Sequence, residues 1–135
     1  MKPSATVIAV VDDDTSVREA MVSLVKSLGY DVVSFDSAEE FLAFGDRDDI
    51  GCLIADVQMP GMSGLDLHAR LVASGETTPT ILITAFPDQG AMTRAIRDGV
   101  RCYLAKPVPD EDLQACLQSA LVSGAGQGRR PRGAG

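Results

Sequence analysis

Two hydrophobic periods alternate along this chain from end to end, and few folds accept that pattern. Short apolar runs recur at Thr6 to Val11, Asp31 to Phe35, Cys52 to Ala55, Thr80 to Ile83 and Cys102 to Ala105. After the first, Val17, Ala20, Met21, Leu24, Val25 and Leu28 return at helical spacing. Similar stripes follow the others: Phe41, Leu42 and Phe44; a segment from about Gly64 to Ala73; Ala91, Met92, Ala95 and Ile96 between Asp88 and Asp98; and Leu113, Cys116, Leu117, Ala120 and Leu121. A nearly continuous apolar run suits a strand buried on both faces, whereas the alternating run at Asp31 to Phe35 suits a half-exposed edge. Five strands, each followed by a helix, predict an α/β domain. Its sheet is parallel, covered on both faces and joined by right-handed crossovers.

Punctuation agrees with that reading. Asp14, Thr15 or Ser16 is placed to cap the first helix and Gly29 to end it, while Ser37 with Glu40 forms a capping box ahead of Phe41. At 135 residues, 45% of them hydrophobic, the chain has material for one core and no second domain. We place the folded domain at 1–122. Residues 123–135 hold five of the 13 glycines together with Arg129, Arg130, Pro131 and Arg132, and are expected to be a disordered tail.

Charge narrows the function. Twelve Lys and Arg against 19 Asp and Glu leave a net charge of −7, which opposes broad contact with nucleic acid or anionic lipid. No apolar run approaches a membrane span, and Met1-Lys2-Pro3-Ser4 carries no signal-peptide pattern, so a cytoplasmic protein is expected. Cys52, Cys102 and Cys116 are odd in number and form no C-x-x-C pair. They read as small core filler, with neither a disulfide framework nor a zinc site implied.

In a parallel sheet, residues just past the strand ends gather along one edge, where ligands bind. Asp12, Asp13, Asp56, Thr84 and Lys106 all hold such positions. Converging carboxylates repel one another unless a cation compensates, and a sparse all-oxygen set suits Mg²⁺. Lys106 adds a point charge for a phosphoryl oxygen and Thr84 a hydroxyl donor, so Asp56 stands out as a nucleophile toward phosphorus. The turn-rich segment Val57 to Gly64 can carry backbone groups up to it.

At these residues the chain resembles the receiver domain of two-component response regulators, over about Val7 to Leu121. Val10-Val11-Asp12-Asp13-Asp14 matches the acidic pair and Asp56-Val57-Gln58-Met59-Pro60-Gly61-Met62-Ser63-Gly64 the phosphoacceptor segment. Thr84-Ala85 matches the switch hydroxyl and Tyr103-Leu104-Ala105-Lys106-Pro107 the lysine-proline corner. Ser37-Ala38-Glu39-Glu40-Phe41-Leu42 further resembles the FixJ-like subgroup. The resemblance implies a flavodoxin-like fold of strand order 2-1-3-4-5 and a phosphoryl group passed to Asp56 by a histidine kinase or phosphotransfer protein. It also implies direct Mg²⁺ ligation by Asp13 and Asp56, with Asp12 acting through water and the Gln58 backbone carbonyl adding a ligand. Thr84 and Tyr103 become the switch pair, and a cis Lys106-Pro107 bond is expected. The responding face, α4-β5-α5 (the fourth helix, fifth strand and fifth helix), would serve a partner or a homodimer. Gln58 and the Phe86-Pro87 pair depart from common receivers and bear on water access to the site.

Each residue alone has a plainer reading. Asp12 to Asp14 could simply cap a helix, Lys106 is an ordinary turn lysine, Thr84 a strand-end cap, and Tyr103 a half-buried strand aromatic. Capping and solvation set no common geometry, so five such positions at the ends of the right strands favour a site. His68, without a partner histidine, reads as a surface or interface residue. Among rivals, an aspartyl phosphatase of the haloacid dehalogenase type would use Asp12 as nucleophile. That class needs a later acidic cluster and a cap, and here Asp110, Glu111 and Asp112 merely open a helix. A degenerate receiver is disfavoured by the intact acidic, hydroxyl and lysine positions. No helix-turn-helix follows Leu121, so direct DNA binding by this chain is not expected; it is either a stand-alone regulator or a piece of a longer one, and Met1 with the polar tail favours the former.

Overall fold

Each apolar run is a strand in the computed structural model, which describes residues 6–129. The strands are β1 (Val7–Val11), β2 (Asp31–Phe35), β3 (Ile50–Asp56), β4 (Thr80–Thr84) and β5 (Cys102–Ala105). The helices are α1 (Thr15–Ser27), α2 (Ala38–Ala43), α3 (Gly64–Ala73), α4 (Gln89–Arg97) and α5 (Asp110–Arg129), with one 3₁₀ turn at Arg47–Asp49. All pairings are parallel and the order is β2-β1-β3-β4-β5. The expected architecture is observed, including the half-exposed β2 edge.

Period-two alternation sorts the strand side chains into two cores. Ile8 and Val10 of β1 join Cys52, Ile54, Ile81 and Ile83 beneath α1 and α5, with Val25, Leu113 and Leu117 closing that layer. Ala9 and Val11 join Leu53, Ala55 and Leu82 on the other face, against Phe41, Leu67, Leu71 and Ala95 from α2, α3 and α4. Burying this much aliphatic surface at about 25 cal/mol per Å² is what holds the layers together.

Local signals end the elements. Asp14 caps α1 by accepting from Val17 N at 3.1 Å, and Gly29, with φ of 100°, ends it where a side chain would be strained. Ser37 accepts from Glu40 N at 3.1 Å, but the two-way capping box forms at α3 instead, between Ser63 and Asp66. The backbone of α5 continues helical through Arg129, past residue 122 where the disordered tail was expected to begin. A helix propagates at one hydrogen bond per added residue, so it can run on past the last apolar stripe at Leu121. The rest of that tail, 130–135, and the N-terminal Met1 to Ser4 lie outside the described residues. Among the described residues no helix is long and apolar enough to cross a membrane.

Two readings are corrected. Cys102 and Cys116 are paired in a disulfide from β5 to α5, with Cα atoms 6.4 Å apart, while Cys52 stays a free, buried core residue. Odd number and spacing speak to whole disulfide frameworks; one pair brought together by strand-helix packing leaves no such mark. His68 is 7% exposed rather than a surface residue, because the α3 face it occupies is turned inward with Leu67 and Leu71.

Candidate functional site

β3 ends on Asp56 itself and β4 on Thr84, while Asp12 and Lys106 follow directly on β1 and β5. The parallel sheet therefore delivers all four to its carboxyl edge. Register holds them level: Val11 pairs with Ala55, Asp56 with Ile83 and Thr84 with Ala105. Backbone bonds carry the alignment past the strand ends, with Val57 N donating to Ile83 O and Lys106 N to Thr84 O, each at 2.8 Å.

Lys106 Nζ lies 3.1 Å from Asp56 Oδ2 and 3.3 Å from Asp12 Oδ2, bridging the two buried carboxylates. Asp56 Oδ1 accepts from Gln58 N at 3.2 Å, and Asp12 Oδ1 from Asp14 N at 2.9 Å. Asp13 is exposed, yet one oxygen from each of Asp12, Asp13 and Asp56 falls within 4.8 Å of the others. Three carboxylates thus face one ammonium. Burial raises the Asp56 carboxyl above its ordinary 3.8, the Asp12 charge adds to this, and Lys106 and the Gln58 amide oppose it. Burial pulls Lys106 down, but its bond to Asp56 and the charges of Asp12 and Asp56 outweigh this and hold it above 10.5. Excess negative charge with hard oxygen donors, half open to solvent, fits a divalent metal ion.

Close packing supports the Asp56 strand end. A Cβ added at Gly64 would meet the Asp56 carbonyl oxygen at 2.5 Å, so only glycine lets the start of α3 approach this strand end. Gly61, with φ of 75°, turns the preceding loop. Glu39 Oε2 of α2 accepts from Met62 N at 3.3 Å, and Arg18 of α1 donates to the Asp12 carbonyl at 2.7 Å. Sequence gives neither Glu39, part of the subgroup segment, nor Arg18 a role at the site, since each is an ordinary charged helix residue until the fold brings it to the loop it supports.

Of the residues expected in the site, Asp12, Asp13, Asp56 and Lys106 are gathered together. Thr84 is adjacent and fully buried, but its hydroxyl donates to Gln58 Oε1 at 2.7 Å and accepts from Phe86 N at 2.9 Å. Tyr103 is half-buried one strand away, at the register of Leu82. The Lys106-Pro107 bond is cis.

A doubly wound parallel α/β domain with an acidic cleft bridged by a lysine at its carboxyl edge is the class of protein that fold and site define. Residues 8–118 match the model of the response regulator receiver domain, and the chain belongs to that family. It is the receiver domain of a two-component response regulator. Response regulator protein TodT of Pseudomonas putida is 42% identical over 121 residues, 90% of this chain and 53% of that protein. Transcriptional regulatory protein FixJ of Azorhizobium caulinodans is 37% identical over 128 residues, 95% of this chain and 61% of that protein. The chain spans about half the length of the first of these. The response regulator StyR superposes with a TM-score of 0.85 at 36% identity, covering 92% of this chain and 63% of that one.

Proposed function

We propose that this receiver takes a phosphoryl group onto Asp56 from a histidine kinase or phosphotransfer protein, with Mg²⁺ in the acidic cleft. The modified domain then remodels its α4-β5-α5 face for a partner or a second copy of the chain. The carrying observation is the Asp56 carboxylate, 5% exposed, bonded to Lys106 within reach of Asp12 and Asp13 oxygens. The working unit is residues 1–122, acting in the cytoplasm, and the only reactions it catalyses are its own phosphorylation and dephosphorylation.

Asp13 and Asp56 would hold the metal directly, Asp12 through water, and the Gln58 backbone carbonyl would complete the protein's share. Bound there, Mg²⁺ would draw charge from the oxygens of the transferring group. The chain's own groups do the rest. An Asp56 oxygen attacks phosphorus, the phosphorus–nitrogen bond to the donor imidazole breaks, and its electron pair returns to that nitrogen. Lys106 starts on Asp56 Oδ2 and is placed to follow the charge onto a phosphoryl oxygen. The Thr84 hydroxyl is the donor that reads the new group, and Tyr103 lies one strand further along the path to the responding face. On that face Ile96 of α4 is 47% exposed, an apolar contact for a partner.

Incubation with Mg²⁺ and acetyl phosphate should give an acid-stable, base-labile label on Asp56, and Asp56→Asn should abolish it. Undiminished labelling of that variant, or a label mapped to Asp12, would overturn the assignment.

A further inference from the structure

The Thr84 hydroxyl already fills both of its bonding roles. Its oxygen accepts the Phe86 amide proton at 2.9 Å, and its own proton goes to Gln58 Oε1 at 2.7 Å. A hydroxyl has one proton to give. While that proton lies on Gln58 it is not available to an oxygen arriving on Asp56, and Phe86 N–H holds the oxygen from the other side. Gln58 is tethered where it can do this, because its own backbone N–H donates to Asp56 Oδ1 at 3.2 Å. One residue therefore touches the nucleophile through its backbone and Thr84 through its side chain.

We infer that Gln58 is a positioning residue whose side-chain carbonyl holds the Thr84 hydroxyl in its unphosphorylated orientation. A phosphoryl group on Asp56 must take that proton from Gln58 Oε1 before Thr84 can engage it. The inference rests on Asp56 being the phosphoacceptor. The two acceptors are unequal. A charged phosphoryl oxygen makes a bond about twice as strong as a neutral amide carbonyl, so the phosphoryl group wins when present and Gln58 holds the hydroxyl when it is absent. Gln58 thereby sets the threshold of the switch. Replacing that acceptor by an apolar side chain of similar length leaves the Thr84 hydroxyl, buried in the native protein, without its partner in the unswitched state alone, which tilts the equilibrium toward engagement.

Beryllofluoride, a phosphoryl mimic, titrated at saturating Mg²⁺ into ¹⁵N-labelled protein tests this. Native protein is compared with Gln58→Met, Gln58→Ala, Thr84→Ala and the Gln58→Met/Thr84→Ala pair. Gln58→Met, which keeps length but lacks the acceptor, should half-saturate at about tenfold lower beryllofluoride, the effect of one unpaired buried donor. Gln58 is itself exposed, so Gln58→Ala lets water reach the hydroxyl and should shift the same way by less. The Phe86 amide signal should move in both variants before any beryllofluoride is added, because its acceptor is then free to turn. In the Thr84→Ala background the Gln58→Met gain should vanish. Equal or weaker binding by both Gln58 variants while native protein responds would overturn the inference and leave Asp56 as phosphoacceptor. A gain that survives in Thr84→Ala would overturn it too. A native protein that shows no response to beryllofluoride would remove the phosphoacceptor reading, and this inference with it.

Discussion

His68 is the sole histidine of the chain and lies in α3, where burial lowers its pKa below the ordinary 6.5 and the Asp98 charge only partly opposes. The folded state thus prefers the neutral ring, and between its depressed value and 6.5 the unfolded chain binds the extra proton more readily. Stability from this source is complete above 6.5 and is lost as pH falls through the folded value. Urea midpoints should therefore decline as pH drops below 6.5, with a shallower slope in His68→Gln. A lone imidazole resonance makes the check direct, and a midpoint at or above 6.5 in native protein would contradict it. Sequence offered no sign of this burial. One polar residue inside an amphipathic stripe has the same local pattern whether its helix rolls it inward or outward by a few tens of degrees.

The link between β5 and α5 belongs to the scale of elements. Cys102 and Cys116 are 14 residues apart, and closing a loop of that size removes unfolded-state entropy worth about 3 kcal/mol. Reduction with excess dithiol, or Cys102→Ser, should lower unfolding stability by about that amount, read from urea titrations with and without reductant. Iodoacetamide should modify two thiols after reduction and one, Cys116, in Cys102→Ser. Cys52 should stay unreactive in the folded protein, since burial pushes its thiol up to about 12. Identical midpoints with and without reductant would show that the pair is not bonded in solution. Here too the sequence was silent, while the strands and helices themselves were readable. Periodicity is a property of one element, but a disulfide needs two elements to meet at a set distance and angle.

Across the whole molecule, three carboxylates against one lysine leave the sheet edge with an excess of negative charge that a divalent ion would relieve. Mg²⁺ should raise the melting temperature, by an amount equivalent to about 2.7 kcal/mol when present at a hundredfold excess over its dissociation constant. Asp13→Ala should weaken that response, and a melting curve of native protein indifferent to Mg²⁺ would count against a metal site. By itself the sequence determined the alternation of strand and helix, hence the parallel sheet, and with it the common edge that collects Asp12, Asp13, Asp56, Thr84 and Lys106. Those positions were readable because parallel strands all end on the same side, so place along the chain translates into place in space. Only the tertiary structure decided that Cys102 meets Cys116, that Glu39 and Arg18 brace the site, and that the Thr84 proton rests on Gln58. Each of these depends on side chains from different elements meeting within hydrogen-bond or covalent reach. Sub-ångström packing of one layer on another governs that distance, and no repeat in the sequence encodes it.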